Sequence, residues 1–212
     1  MALATGRRRG RPATAAPADV LRLASDQYLG GQRVDLTVIA KRLRIGRATI
    51  YRWFGSREGL LGEVIARELE ALIVRKRSEV RRRGAPGLLE VFDRINRALV
   101  RSPALGRLLE QERASALRLL TSSAGIVHRR AVASIERLIA AEAGAGAYEP
   151  PADPDTLAYA VVRLCEGFVF NDASVGIRGD YERLREVQAA LLGVPTPRRR
   201  LRTPAASARS AP

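Results

Sequence analysis

The sequence predicts an all-α fold of about nine helices. Three observations carry this. Apolar residues recur every three or four positions through most of residues 17–193, the period of a helix with one buried face. No stretch alternates apolar and polar residues as a half-buried strand would, and no Asn-Gly hairpin turn occurs. Glycines and prolines mark the breaks between the periodic segments.

The elements follow in order. Residues 1–16 have no apolar period and read as a flexible basic arm. A first helix starts at Pro17 and Ala18, places Val20, Leu21, Ala24 and Tyr28 on one face, and stops at Gly30-Gly31. A second covers 36–43, with Asp35 as N-cap and Val34 and Ile39 as a hydrophobic staple. A third covers 47–54. A fourth begins after its N-cap Ser56 and runs to about residue 83, where Arg81-Arg82-Arg83 reads as a solvated helix end favoured by the dipole. Further helices are expected over 86–101, 105–120, 124–143, 153–175 and 180–192, with Asp153 and Pro154 at the N-cap and first positions of the fourth of these. Residues 194–212, rich in Pro, Arg, Ser and Ala, read as a disordered basic tail.

Composition narrows the chemistry. The 212 residues carry a formal charge of +15, which points to an anionic partner, nucleic acid first. The charge is concentrated at the ends: residues 1–60 hold 12 basic and 4 acidic side chains, and residues 193–212 hold five arginines and no acid. The middle is nearly neutral. The single cysteine, Cys165, and single histidine, His128, leave no disulfide framework and no multi-ligand metal site. Arg163 and Glu166 interrupt the longest apolar run, so no membrane span is expected, and the protein reads as soluble and cytoplasmic. No cofactor is implied.

Three short helices with tight turns, in the most basic part of the chain, form a helix-turn-helix. Ile39, Ala40 and Leu43 make its buried face, Ile45 plugs the turn, and Ile50 and Phe54 anchor the third helix. The opposite face shows Arg47, Ala48, Thr49, Tyr51 and Arg52. Arginine can pair bidentately with guanine, alanine and threonine methyls can meet thymine methyls, and tyrosine can fix register on a phosphate. Ser56 and Arg57 open the next helix, whose free N–H groups suit another phosphate.

The run from Ile39-Ala40 through Ile45-Gly46, Tyr51-Arg52-Trp53-Phe54 and Arg57 to Leu60-Leu61 resembles the DNA-binding domain of the TetR family of transcriptional repressors. By position, the resemblance assigns base reading to Arg47, Ala48 and Thr49. It assigns backbone contact to Tyr51, Trp53 and Arg57, with Arg52, Ser56 and the turn residue Arg44 beside them. The sequence departs from the family pattern at four places. Arg44 stands at the turn glycine, Gly46 at the N-cap serine, Trp53 at a Tyr or His, and Arg57 at a Lys. The arm Arg7-Arg8-Arg9-Gly10-Arg11-Pro12 resembles minor-groove arms, with Arg9 and Arg11 as the contacting pair.

The resemblance implies residues 17–62 as the DNA-binding domain and residues 63–193 as a ligand-binding and dimerisation domain. It implies a homodimer on a palindromic operator, built from the last two helices, where Leu184, Val187 and Leu191 form an apolar stripe. That stripe fits a protomer's own core equally well. Residues 105–192 further resemble the subgroup of regulators of quorum-signal degradation, which implies a small-molecule, lactone-like effector. Tyr159, Arg163, Glu166 and Phe170 share one helix face and are the candidate effector residues, with an Arg163–Glu166 ion pair at the dimer edge as the alternative reading. His128 reads as a surface or capping residue, and Cys165 as a small buried hydrophobe.

The leading function is a sequence-specific repressor released by its effector. The alternative is a non-specific architectural DNA-binding protein without an effector. An enzyme is not supported, since no phosphate-cradling loop, metal cluster or activated nucleophile is evident.

Overall fold

The structure, a computed structural model, describes residues 15–170 and 181–195. Among these residues it holds ten α-helices and no strand. They are α1 (Pro17–Leu29), α2 (Leu36–Leu43), α3 (Arg47–Phe54), α4 (Arg57–Ser78), α5 (Gly84–Val100), α6 (Pro103–Gln111), α7 (Arg113–Thr121), α8 (Ile126–Gly144), α9 (Pro154–Val169) and α10 (Tyr181–Leu191). None of them is long and apolar enough to cross a membrane. The arm with Arg9 and Arg11, and the tail beyond residue 195, lie outside the described residues.

Side-chain caps set the starts of three helices. The Asp35 carboxylate accepts from the N–H groups of Thr37 and Val38 at 2.7 and 3.2 Å and so caps α2. Ser56 Oγ accepts from Gly59 N at 2.9 Å and caps α4. Ser102 does the same for α6. Asp153 stands at the N-cap of α9 with Pro154 after it, but its side chain makes no capping bond.

Two elements differ from the sequence expectation, both for tertiary reasons. The helix expected over 105–120 is broken in two at Glu112, whose backbone leaves the helical region (φ −139°, ψ 45°). The fourth helix ends at Ser78, so the Arg81–Arg83 run is a connector and not a helix end. Arg83 Nε and Arg77 Nη2 instead donate to the carboxylate of Glu142 on α8, at 2.9 and 2.7 Å, and Gly84 N adds a third bond at 2.8 Å. Glu142 is buried. Burial alone would raise its pKa, but the Gly84 N–H and the Arg83 and Arg77 guanidinium groups outweigh that and hold it below the ordinary value. One carboxylate thus ties the end of α4, the start of α5 and the end of α8.

Two apolar clusters form the core. One joins α1–α3 and the first half of α4 to Ala104, Leu105 and Leu108 of α6, Ala116 and Leu120 of α7, and Val127 of α8. The other joins Ile73 of α4 to α5, α8, α9 and α10. A Cβ at Gly62 would stand 2.9 Å from Ile126 Cγ2 and 3.1 Å from Leu119 Cδ1, so the missing side chain lets α4 approach α7 and α8 closely.

Candidate DNA-reading face and effector cavity

The helix-turn-helix is assembled from α2 and α3 against α1. Ile39, Ala40 and Ile50 are buried in the first cluster, and Leu43, Ile45, Trp53 and Phe54 pack on it half-buried. Arg44 closes α2 in the left-handed conformation (φ 55°, ψ 41°), the position where a glycine would carry no steric cost. Arg44 N and Ile45 N return to the carbonyls of Lys41 and Ala40, so the turn forms without glycine. Gly46 caps α3 without a side-chain bond. After α3 the chain turns tightly into α4, and a Cβ on Gly59 would fall 2.1 Å from the Phe54 carbonyl oxygen.

The outer face of α3 exposes Arg47, Ala48, Tyr51 and Arg52, with Thr49 half-buried beside them. Trp53 lies with its ring against the core. Arg57 is turned inward: Nε donates to Val34 O at 2.9 Å, and Nη1 and Nη2 form a fork on the Glu112 carboxylate at 2.8 and 2.5 Å. Arg33 Nε adds a bond to the same carboxylate at 3.0 Å. The Arg57 hydrogen bonds, then the Arg33 bond, hold Glu112 below the usual carboxylate range despite partial burial. The break between α6 and α7 therefore clasps the start of α4 and the loop before α2.

Behind this module lies an apolar cavity of about 400 Å³, within the range of small-molecule sites of roughly 300–1,000 Å³. Its walls come from α4, α5, α8 and α9, with Gln188 of α10, Leu120 of α7, and Ser102, Pro103 and Leu105 at the start of α6. Tyr28 and Leu29 at the end of α1 complete it. The tyrosine hydroxyl is pushed up to about 12 by burial and by Glu68. Glu68 borders the cavity and accepts from Ser25 Oγ of α1 at 2.6 Å.

The four candidate effector residues divide. Glu166 and Phe170 line the cavity. Arg163 lines an outer groove with Arg113, Leu117 and Thr121, and Tyr159 is half-exposed and lines neither. The alternative reading of an ion pair is what the geometry contains: Arg163 Nη1 donates to Glu166 Oε2 at 2.6 Å and to Thr121 O at 2.8 Å. Arg163 also donates to Ser123 Oγ and lies over the Tyr159 ring, 5.1 Å from its centroid. His128 is not at the surface but buried, bonded through Nδ1 to Glu166 Oε1 at 2.6 Å, with Tyr159 edge-on to its ring. A partner 38 residues away gives no local signal in the sequence. Cys165 lines the cavity as a neutral thiol, its pKa pushed up to about 12 by burial. Among the described residues no three His, Cys, Asp or Glu side chains gather as a metal site would need.

Residues 83–193, more than half of the chain, match the family described as the tetracyclin repressor-like C-terminal domain. The chain belongs to the TetR family. Among solved structures it is similar to the TetR-family transcriptional repressor QsdR of R. erythropolis, with 27% identity over 86% of this chain and 97% of that one, and a TM-score of 0.78. That likeness agrees with the subgroup which residues 105–192 resemble. The fold is also that of the TetR-family repressor AlkX of Dietzia sp. strain DQ12-45-1b, with 22% identity over 84% and 96% of the two chains and a TM-score of 0.60. No curated protein matches. As a TetR-family member the protein is a DNA-binding transcriptional regulator.

The apolar stripe on α10 is also divided. Leu184 is buried within the protomer and Leu191 packs on the second cluster, while Val187 is 41% exposed.

Proposed function

We propose that the protein is a repressor that binds a palindromic operator as a homodimer and leaves it when a small effector enters the cavity. Residues 17–62 act as the reading module and residues 63–193 as the effector and dimer module. The observation that carries this is the cavity wall itself. Tyr28 and Leu29 belong to α1 of the reading module, so a molecule filling the cavity presses directly on the helix that supports α2 and α3. An effector then needs only a differential affinity for two settings of that helix to shift their populations. The apolar lining favours an apolar or amphipathic effector, lactone-like by the subgroup resemblance. Val187 and Tyr159 are exposed on the last two helices described and are available to a second copy.

On the DNA, Arg47, Ala48 and Thr49 read bases, while Tyr51, Arg52, Arg44, Trp53 and Ser56 hold the backbone. Arg9 and Arg11 follow the minor groove. The test is selection of bound sequences from a random pool, followed by Arg47→Ala. A palindromic consensus should emerge, and the substitution should relax preference at one base pair of each half-site, costing about 1–3 kcal/mol there. A pool that returns no consensus would favour an architectural protein instead.

Arg57 has two possible partners, the Glu112 carboxylate and a phosphate. Glu112→Gln should release it toward DNA. The expected result is tighter operator binding without effector, and a salt dependence steeper by roughly one unit per protomer. Fluorescence-anisotropy titrations at several salt concentrations check this. An unchanged slope would make Arg57 a purely internal clamp.

A further inference from the structure

Gln188 lies on α10 and is fully buried. Its Oε1 accepts from Asn96 Nδ2 of α5 at 3.1 Å, and Asn96 is buried too. Its Nε2 has no hydrogen-bond partner, alone among the buried side-chain nitrogens and oxygens of the described residues. A buried amide left without an acceptor is costly, and its neighbours Leu184, Ala189 and Leu192 pack as apolar residues. A leucine at 188 would fill the same role at no such cost.

Both amides border the cavity, beside Phe92, Ile95 and Val161. Among the other polar side chains of the wall, Glu68 is engaged by Ser25, Glu166 by His128 and Arg163, and Ser102 by Leu105 N, while the Tyr28 hydroxyl and the Cys165 thiol line it as neutral groups. Arg75 and Arg101, which also border the cavity, are exposed.

We propose that the Asn96–Gln188 pair is the polar end of the effector site, and that the effector presents a neutral acceptor oxygen of carbonyl type to Gln188 Nε2 while its apolar body fills the rest. This rests on the effector reading above. A carboxylate is disfavoured at that depth, because it would share the cavity with Glu68 and Glu166. Gln188 is thus a specificity-determining residue.

The probes are 2-nonanone and 2-methyl-1-nonene, which differ only by oxygen against methylene, with nonanoate as a third. Displacement of Nile red from the full-length protein measures their affinities. The ketone should bind roughly tenfold more tightly than the alkene, the value of one hydrogen bond to an otherwise unpaired group, and nonanoate more weakly than the ketone. In Asn96→Leu/Gln188→Leu the ketone's advantage should vanish. The ligand-free double variant should also melt about 2–4 °C higher, because no orphan amide remains. A merely structural amide pair would make it melt lower. Should the double variant fail to fold, Asn96→Met/Gln188→Met, which also leaves no amide donor at the cavity, must still lose the preference. Equal binding of ketone and alkene by the unaltered protein overturns the polar end and leaves the effector reading standing. Displacement by none of the three overturns both. Preference for nonanoate overturns the neutral class.

Discussion

Glu142→Gln is expected to lower the thermal midpoint by about 4–12 °C at neutral pH. The carboxylate is 3% exposed, and its three donors come from α4, the α4–α5 connector and the start of α5. The glutamine keeps an acceptor for Gly84 N but leaves two guanidinium groups facing a neutral amide. Removing one member of a buried pair costs about 3–5 kcal/mol, and screening of the partly exposed Arg77 and Arg83 brings this to about 2–3 kcal/mol. For a chain of this size each kcal/mol moves the midpoint by about 2–4 °C. The pH dependence follows from the same site. The folded pKa of Glu142 lies below its ordinary value of 4.5, so its contribution is complete above that value and is lost as pH falls through the depressed one. Melting curves from pH 7 downward should therefore converge for the two proteins in acid. Equal midpoints at pH 7 would show that the network is solvated and idle.

Ile50→Ala should cost about 2–4 kcal/mol and lower operator affinity at least tenfold. Ile50 is fully buried and is the one wholly buried side chain of α3. Truncation leaves a cavity beneath α3, so its outward residues lose their fixed arrangement. Ile50→Val, which removes one methylene, should cost only about 0.5–1.5 kcal/mol and retain binding. Denaturant titration and gel-shift assays separate the two effects. An Ile50→Ala protein with unchanged affinity would mean that α3 is positioned by the DNA itself.

The reading module was the most legible part of the sequence, since its signals are local. The Asp35 and Ser56 caps, the Val34–Ile39 staple and the apolar spacing of Ile39, Ile45 and Ile50 bound α2 and α3 without help from distant residues. The same spacing misled over 105–120. Leu105, Leu108, Ala116 and Leu120 keep a helical period across Glu112, and no glycine or proline warns of the break. The break follows from Arg57 and Arg33, far away in sequence. The end of α4 is set similarly, by Glu142, a residue 64 positions beyond Ser78. On α9 the periodicity grouped Tyr159, Arg163, Glu166 and Phe170 on one face, as the helix does. It had no means of telling which part of that face meets empty space. Gln188 gave no signal, because an unpaired amide becomes visible only when every neighbour is in place.

The first apolar cluster ignores the seam between the reading module and the rest of the chain. Ala104, Leu105, Leu108, Ala116, Leu120 and Val127 share it with α1, α2 and α3. Anyone wishing to re-address this regulator by transplanting a foreign reading head at residue 62 would set those six side chains against a surface they were never shaped to fit. The transplantable unit is discontinuous: the head must travel with α6, α7 and the first turn of α8.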